Sequence, residues 1–283
     1  MRRFAIGDIH GCSKALRTLL EVIDPQPEDE LIFLGDYIDR GSDSRDVVDQ
    51  IIALKKRCRV VTLRGNHEIM LVAVALKGMD ETVWLENGGQ ATVASYGGTI
   101  SRIPPEHMKF YRSLKSYYET DDAIFVHAGY CHLLMMSELD EATLYWKHLP
   151  FPLPLPHKSG KRVFLGHTPQ PAGNVLERDH LVCIDTYCFG GGFLTAYQVE
   201  TGELIQVDSH GFQRRRRFSS LMKKFSQFSK AWRARKAKLY GSTVEGHASL
   251  DHSSDAEPAD QGKPGEQDKP VVQDKPGDRI LDR

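Results

Sequence analysis

No apolar run in this chain approaches the roughly 18–20 residues of a membrane span. The longest, Ile69 to Leu76, holds eight. Cysteine is sparse: Cys12, Cys58, Cys131, Cys183 and Cys188 are odd in number, and none has CxxC spacing. That argues against a disulfide framework and a thiolate zinc site, and fits a reducing cytosol. No signal peptide is expected ahead of the first motif, which begins at Gly7. An apolar fraction of 40% beside 27% charged residues excludes a wholly disordered or collagen-like chain. At about 100–200 residues per domain, 283 residues make one large domain or two small ones.

The net charge of −1 conceals strong segregation. Phe212 to Tyr240 carries eleven Lys and Arg and no acid, whereas Gly241 to Arg283 carries ten acids and five bases. Residues 1–211 are left with a net −7. These are three different materials: an acidic body (1–211), a basic segment (212–240) and an acidic tail (241–283). Phe218, Leu221, Met222, Phe225 and Trp232 fall on one helical face of the basic segment, with Lys and Arg opposite. Its candidate partners are an anionic membrane surface, nucleic acid or the chain's own acidic tail, weighed against a plain solvated linker. In the tail, Gln261-Gly262-Lys263-Pro264, Gln267-Asp268-Lys269-Pro270 and Gln273-Asp274-Lys275-Pro276 repeat every six residues. So few apolar groups cannot offset ordering entropy, and the composition predicts disorder. The expected location is the cytoplasm, peripheral at the membrane if the basic segment meets lipid.

Within the body, short apolar runs alternate with helical patterns. Phe4 to Ile6, Leu31 to Leu34 and Val60 to Leu63 read as strands. Leu16, Leu19, Leu20 and Ile23 come next at helical spacing, as do Val47, Val48, Ile51 and Leu54, and Glu68 to Leu76 can start a third helix. Ala123 to Val126, Val163 to Leu165 and Val182 to Ile184 look like later strands. Phe193 to Val199 and Leu204 to Val207, joined through Thr201-Gly202, read as a hairpin. Alternation first and antiparallel strands later indicate a mixed α/β sheet architecture.

The residues just past each strand carry the chemistry. The first three strands run into Gly7-Asp8-Ile9-His10-Gly11, Gly35-Asp36-Tyr37-Ile38-Asp39-Arg40-Gly41 and Arg64-Gly65-Asn66-His67-Glu68. Two later ones end at His127-Ala128-Gly129 and Gly166-His167-Thr168. In open α/β sheets, ligands bind outside the carboxyl ends of strands. Those ends here carry carboxylate, amide and imidazole donors, which suit divalent metals. A lone Asp or His in a loop is usually a cap or a solvated group; five such groups, each just past a strand, are a pattern. Two metals with a bridging carboxylate can share and acidify a water and clamp an in-line displacement at phosphorus. Arg40 offers a planar fork for phosphate oxygens. His67 beside Asp39 suggests an imidazole oriented by a carboxylate, suited to protonating a leaving alkoxide. His132, His157, His180 and His210 read as surface or hydrogen-bonded histidines, Cys12 and Cys183 as small buried hydrophobes, and Asp185 as the start of a turn.

The set GDIHG, GDYIDRG and LRGNHE, with HAG and GHT further on, resembles the phosphoprotein phosphatase family of calcineurin-like metallophosphoesterases. It is most similar to the short bacterial and phage serine/threonine phosphatases, over about residues 3–207. The resemblance implies a β-sandwich of two mixed sheets flanked by helices. It implies two divalent metals, commonly manganese, with iron or zinc also found. Asp8 and His10 would bind the first metal, Asp36 would bridge, and Asn66, His127 and His167 would complete the second. Arg40 and Asn66 would contact phosphate, and His67 with Asp39 would form the acid dyad. The implied chemistry is direct attack by a hydroxide held between the metals, without a phosphoenzyme.

Two departures stand out. Relatives acting on phosphoproteins usually carry a second arginine in the segment after the HGG-like motif, yet no arginine lies between Arg112 and Arg162. Lys147 or His148 stands in roughly the right place to substitute, and Lys lacks the bidentate fork. HAG also replaces the eukaryotic HGG. The leading expectation is hydrolysis of phosphoserine and phosphothreonine in proteins. The sibling expectation is a diadenosine tetraphosphate hydrolase, an enzyme type that tends to lack the Asp39 equivalent and to have GNHD. A non-catalytic module keeping a metal site is the third alternative.

Overall fold

The computed structural model describes residues 1–214, so the basic segment beyond Arg214 and the 241–283 tail lie outside the described residues. Strands β1 (Arg3–Ile6), β2 (Glu30–Phe33) and β3 (Arg59–Thr62) run parallel, with Phe4 opposite Leu31 and Ile32 opposite Val61. Between them lie α1 (Ser13–Ile23) and α2 (Ser44–Leu54), and after them α3 (Asn66–Lys77). The chain continues through α4 (Thr82–Trp84), α5 (Gln90–Ser95) and α6 (Pro105–Arg112). The second sheet then forms from β4 (Tyr117–Glu119), β5 (Ala123–Val126), β6 (Arg162–Leu165), β7 (Leu176–Glu177) and β8 (Leu181–Cys183). A short helix, α7 (Glu141–Tyr145), lies between β5 and β6. The hairpin of β9 (Phe193–Gln198) and β10 (Leu204–Asp208) returns to the first sheet, where β9 pairs antiparallel with β1. The sheet orders are β10-β9-β1-β2-β3 and β4-β5-β6-β8-β7.

The period-two alternation of each strand explains the layers. Ala5, Ile32, Leu34 and Val61 of the first sheet meet Phe125, Phe164, Val182 and Ile184 of the second in one dry layer. Their neighbours Phe4, Ile6, Leu31 and Phe33 face the other way, onto Leu16, Leu19, Val48 and Ile51 of α1 and α2. Ile124, Val126, Val163 and Leu165 face out from the second sheet and are covered by Tyr130, Leu144 and Tyr145. Central strands are thus buried on both faces and read as continuous apolar runs. Each fully buried Leu, Ile or Phe contributes roughly 1.5–3 kcal/mol. This is the expected sandwich of two mixed sheets flanked by helices.

The expected strands and the hairpin form. Edge strands β4 and β7 were not anticipated, because two or three half-buried residues carry no readable period and pair only because a neighbouring strand is there. The third helix begins at Asn66 rather than Glu68. Glu68 caps its own helix, accepting the Gly65 N–H at 2.9 Å. Asn66 and His67 therefore sit on a rigid first turn. Among the described residues, no helix is long and apolar enough to cross a membrane.

Candidate active site

The carboxyl ends of β1, β2, β3, β5 and β6 converge at one edge of the sandwich. Close backbone approach makes this possible. At Gly65 a Cβ would collide with the Asp36 carboxylate, and at Gly166 with that of Asp8. His10, Asp36, Asp39, Arg40 and His167 all have left-handed φ, between 46° and 72°. Non-glycine residues hold that conformation only where surrounding bonds over-determine it, and such strain clusters at functional sites. The bonds are present: Ile9 and His10 donate their N–H groups to the Asp36 carbonyl at 3.0 and 2.9 Å, and Gly41 N–H reaches the His10 carbonyl at 3.0 Å.

Asp36 is the hub. His10 Nε2 lies 3.5 Å from its Oδ2, and His127 Nε2 lies 3.5 Å from its Oδ1. His10, Asp36 and His67 form one compact donor triple, and Asp36, His127 and His167 form another. Asn66 Oδ1 lies 3.1 Å from His127 Nε2. Asp8, buried at 3% exposure, falls outside both triples. Its carboxylate accepts the His167 backbone N–H at 3.1 and 3.2 Å.

The histidine tautomers are set by their outer hydrogen bonds. His10 Nδ1 donates to the Ile38 carbonyl and His127 Nδ1 to the Leu34 carbonyl, each at 2.9 Å. Burial lowers the pKa of both rings, and takes His167 down to about 3. The neutral rings of His10 and His127, held this way, turn bare Nε2 lone pairs toward carboxylate and amide oxygens, whereas His167 donates its Nε2–H to the Trp146 carbonyl at 3.0 Å. At His127, three electron-pair donors thus meet with no proton to share. Such a set is repulsive alone and fits a divalent cation, and its oxygen and imidazole chemistry suits manganese, iron or zinc. At His10, the lone pair accepts Nη1 of the Arg40 guanidinium at 2.9 Å, a cation already drawn to that position.

His67 is built differently. Its Nδ1 donates to Asp39 Oδ2 at 2.6 Å, and its Nε2 faces the hub, 3.9 Å from Asp36 Oδ2. Burial opposes the imidazolium, but Asp36 and Asp39 outweigh it and the His67 pKa is raised. Asp39 is fully buried and satisfied by Trp84 Nε1–H at 2.9 Å and Thr92 Oγ1–H at 2.6 Å.

The sequence-predicted residues Asp8, His10, Asp36, Asp39, Arg40, Asn66, His67, His127 and His167 therefore lie at one edge. His148 also arrives there, its ring 4.7 Å from that of His167. Lys147 turns instead to Thr143 Oγ1 at 3.1 Å. A cavity of about 530 Å³ adjoins this side, lined by Tyr130, His132, Lys147, His148 and Pro150 among others. His157 and His180 are hydrogen-bonded to backbone carbonyls, and Cys12 and Cys183 are buried.

Four residues were missed or undervalued. Glu68 accepts Asp36 N–H at 3.1 Å and Tyr37 N–H at 2.8 Å, tying α3 to the β2 loop. Trp84 and Thr92 have no sequence signal, because they meet Asp39 only through the fold. Asp185 does start a turn, accepting Tyr187 N–H at 3.1 Å, but it is also buried beside the site. Burial and the charge of Asp36 push it up to about 6, and Asp185 in turn raises Asp8. Its position just past β8 was the available signal.

Known proteins match this chain in sequence and in fold. Residues 1–192 match the family described as calcineurin-like phosphoesterase. An asymmetrical bis(5'-nucleosyl)-tetraphosphatase from Anoxybacillus flavithermus is 30% identical over 233 residues, covering 72% of this chain and 93% of that protein. Serine/threonine-protein phosphatase 1 of Salmonella typhimurium is 42% identical over 88 residues, 30% of this chain and 38% of that one. The match to a symmetrical bis(5'-nucleosyl)-tetraphosphatase from Janthinobacterium, 42% identical, spans 26% of this chain and 27% of that protein's length. In fold, a protein serine/threonine phosphatase from Saccharomyces cerevisiae superposes with a TM-score of 0.52 at 16% identity, covering 73% of this chain and 78% of that one. Motifs, sheet architecture and matched span agree: the chain belongs to the calcineurin-like phosphoesterase family.

Proposed function

We propose that this chain is a metal-dependent phosphomonoesterase acting on phosphoserine and phosphothreonine in proteins. The observation that carries the reading is the buried His67–Asp39 pair, 2.6 Å apart, set against the Asp36 hub. In this reading Asp8, His10 and Asp36 hold one divalent ion, and Asp36, Asn66, His127 and His167 hold the other. When bound, the two ions acidify a water and neutralise charge at phosphorus. Arg40 and Asn66 bind phosphate oxygens, and His148 substitutes for the missing second arginine. His67 gives a proton from Nε2 to the leaving alkoxide, while Asp39 keeps Nδ1 protonated and the ring oriented. To act as the acid His67 must carry the Nε2 proton, so turnover falls once pH rises far enough to remove it.

A second reading, hydrolysis of dinucleoside tetraphosphates, is favoured by two observations. The relative that aligns over 72% of the chain bears that activity in its name, and the 530 Å³ cavity has room for a leaving group larger than a side chain. The test begins with metal-stripped full-length protein and para-nitrophenyl phosphate, with and without manganese. A phosphothreonine peptide and diadenosine tetraphosphate are then compared by kcat/KM. Faster turnover of the peptide is expected, and faster turnover of the dinucleotide would put the second reading in its place. A protein that binds two metals and hydrolyses nothing would be the binding module instead.

A further inference from the structure

Arg40 is the exposed member of the motif residues at the site, and nothing in its own motif explains what holds it. Its backbone is fixed: φ is 68°, and its N–H donates to the Gly88 carbonyl at 3.1 Å. Its guanidinium donates to His10 Nε2 and forms no salt bridge with a carboxylate among the described residues. A long exposed side chain is entropically costly to fix. Here one aromatic ring lies beneath it. The Arg40 Cζ sits 4.6 Å from the centroid of Phe189. The same ring meets His10 edge-on at 4.9 Å.

The loop that presents Phe189 is itself braced. Asp185 accepts the Tyr187 N–H, and Tyr187 has φ of 62°. Gly190 and Gly192 both return N–H bonds to the Tyr187 carbonyl, at 3.1 and 2.8 Å. Tyr187 packs on Phe189 with ring centroids 4.7 Å apart.

The choice of an aromatic partner has a chemical consequence. A carboxylate in that position would neutralise Arg40 and occupy the N–H groups that phosphate needs. A ring face attracts the cation through its quadrupole and takes none of its N–H groups, so only Nη1, on His10 Nε2, is engaged and the rest of the fork stays open. We propose that Phe189 is a positioning residue for phosphate recognition, a shelf that orients Arg40 while keeping its N–H groups for phosphate oxygens. The proposal rests on the reading of this site as a phosphoester hydrolase.

The test uses full-length manganese-loaded protein and inorganic phosphate as the probe, with Kd measured by calorimetry. Phe189→Leu keeps apolar bulk and removes the ring face. It should weaken phosphate binding by about tenfold, with KM for para-nitrophenyl phosphate rising more than kcat falls. Phe189→Trp should restore affinity. In an Arg40→Ala background, Phe189→Leu should have no further effect on Kd, because the ring acts through the guanidinium. Phosphate binding by Phe189→Leu at wild-type strength would overturn the proposal. So would an equal loss in the Arg40→Ala background, which would make Phe189 a loop-packing residue only. Phosphate binding that depends on both residues, in a protein that hydrolyses no phosphoester, would uphold the shelf and sink the hydrolase reading. A wild-type protein that binds no phosphate would remove both.

Discussion

The two sheets furnish one site in different ways. On the first-sheet side, the residues brace one another: Glu68 ties α3 to Asp36, the Asp36 carbonyl holds the β1 loop, and His67, Trp84 and Thr92 lock Asp39. On the second-sheet side, His127 and His167 arrive singly from β5 and β6, and His148 comes from an exposed loop after α7. The braced half can hold a precise reaction geometry. The sparse half adjoins the cavity of about 530 Å³, and a change of substrate preference made there is expected to disturb the chemistry less. Loops on a rigid scaffold are where such preference changes most readily.

Four variants probe that contrast. The largest effect is expected at the hub both halves share. Asp36→Asn should lower para-nitrophenyl phosphate turnover by roughly 10³-fold, with metal content falling in the same preparation by elemental analysis. Next comes the braced half: His67→Asn should reduce kcat by about 10²-fold or more while two metals stay bound. Loss of metal would instead make His67 a ligand, as its place in the His10–Asp36–His67 triple permits. A smaller effect belongs to the sparse half. His148→Arg should lower KM for a phosphopeptide by about three- to tenfold and leave kcat little changed; an unaltered KM would place His148 outside the phosphate path.

The smallest effect tests the end of the first sheet away from the site. Asp29, next to β2, accepts Arg2 N–H at 3.0 Å and Gln26 N–H at 2.9 Å. Burial would raise its pKa, but these bonds and the Arg2 guanidinium outweigh burial and hold it at about 2. A depressed carboxylate stabilises the fold above its unfolded pKa and loses that contribution as pH falls through its folded one. With Arg2 partly exposed, Asp29→Asn should cost about 1–2 kcal/mol near neutral pH. Thermal melts should show the gap to wild type closing as pH approaches 2, with activity unaffected.

Legibility divided along the same line. The braced half was readable because each loop places its donors within a few residues of a strand end, and the strands announce themselves by apolar runs. The sparse half was readable only one residue at a time, as His127 and His167. Asp185 had the same signal, a position just past a strand, but its carboxylate also makes an ordinary turn. Trp84, Thr92 and Phe189 had none. Each acts on a motif residue far away in the chain, and no local period encodes such a meeting.

Sequence alone was enough for the strand and helix periods, the donor types at the strand ends and the family to which they belong. These depend on neighbours in the chain: alternation, capping and short glycine-flanked turns act over a few residues. It took the tertiary structure to make Asp36 common to two histidine sets, to lock Asp39 with an indole and a hydroxyl, and to lay a phenylalanine beneath Arg40. Those are meetings across long chain separations, set by how two sheets stack and where their loops close, and only packing chooses among them.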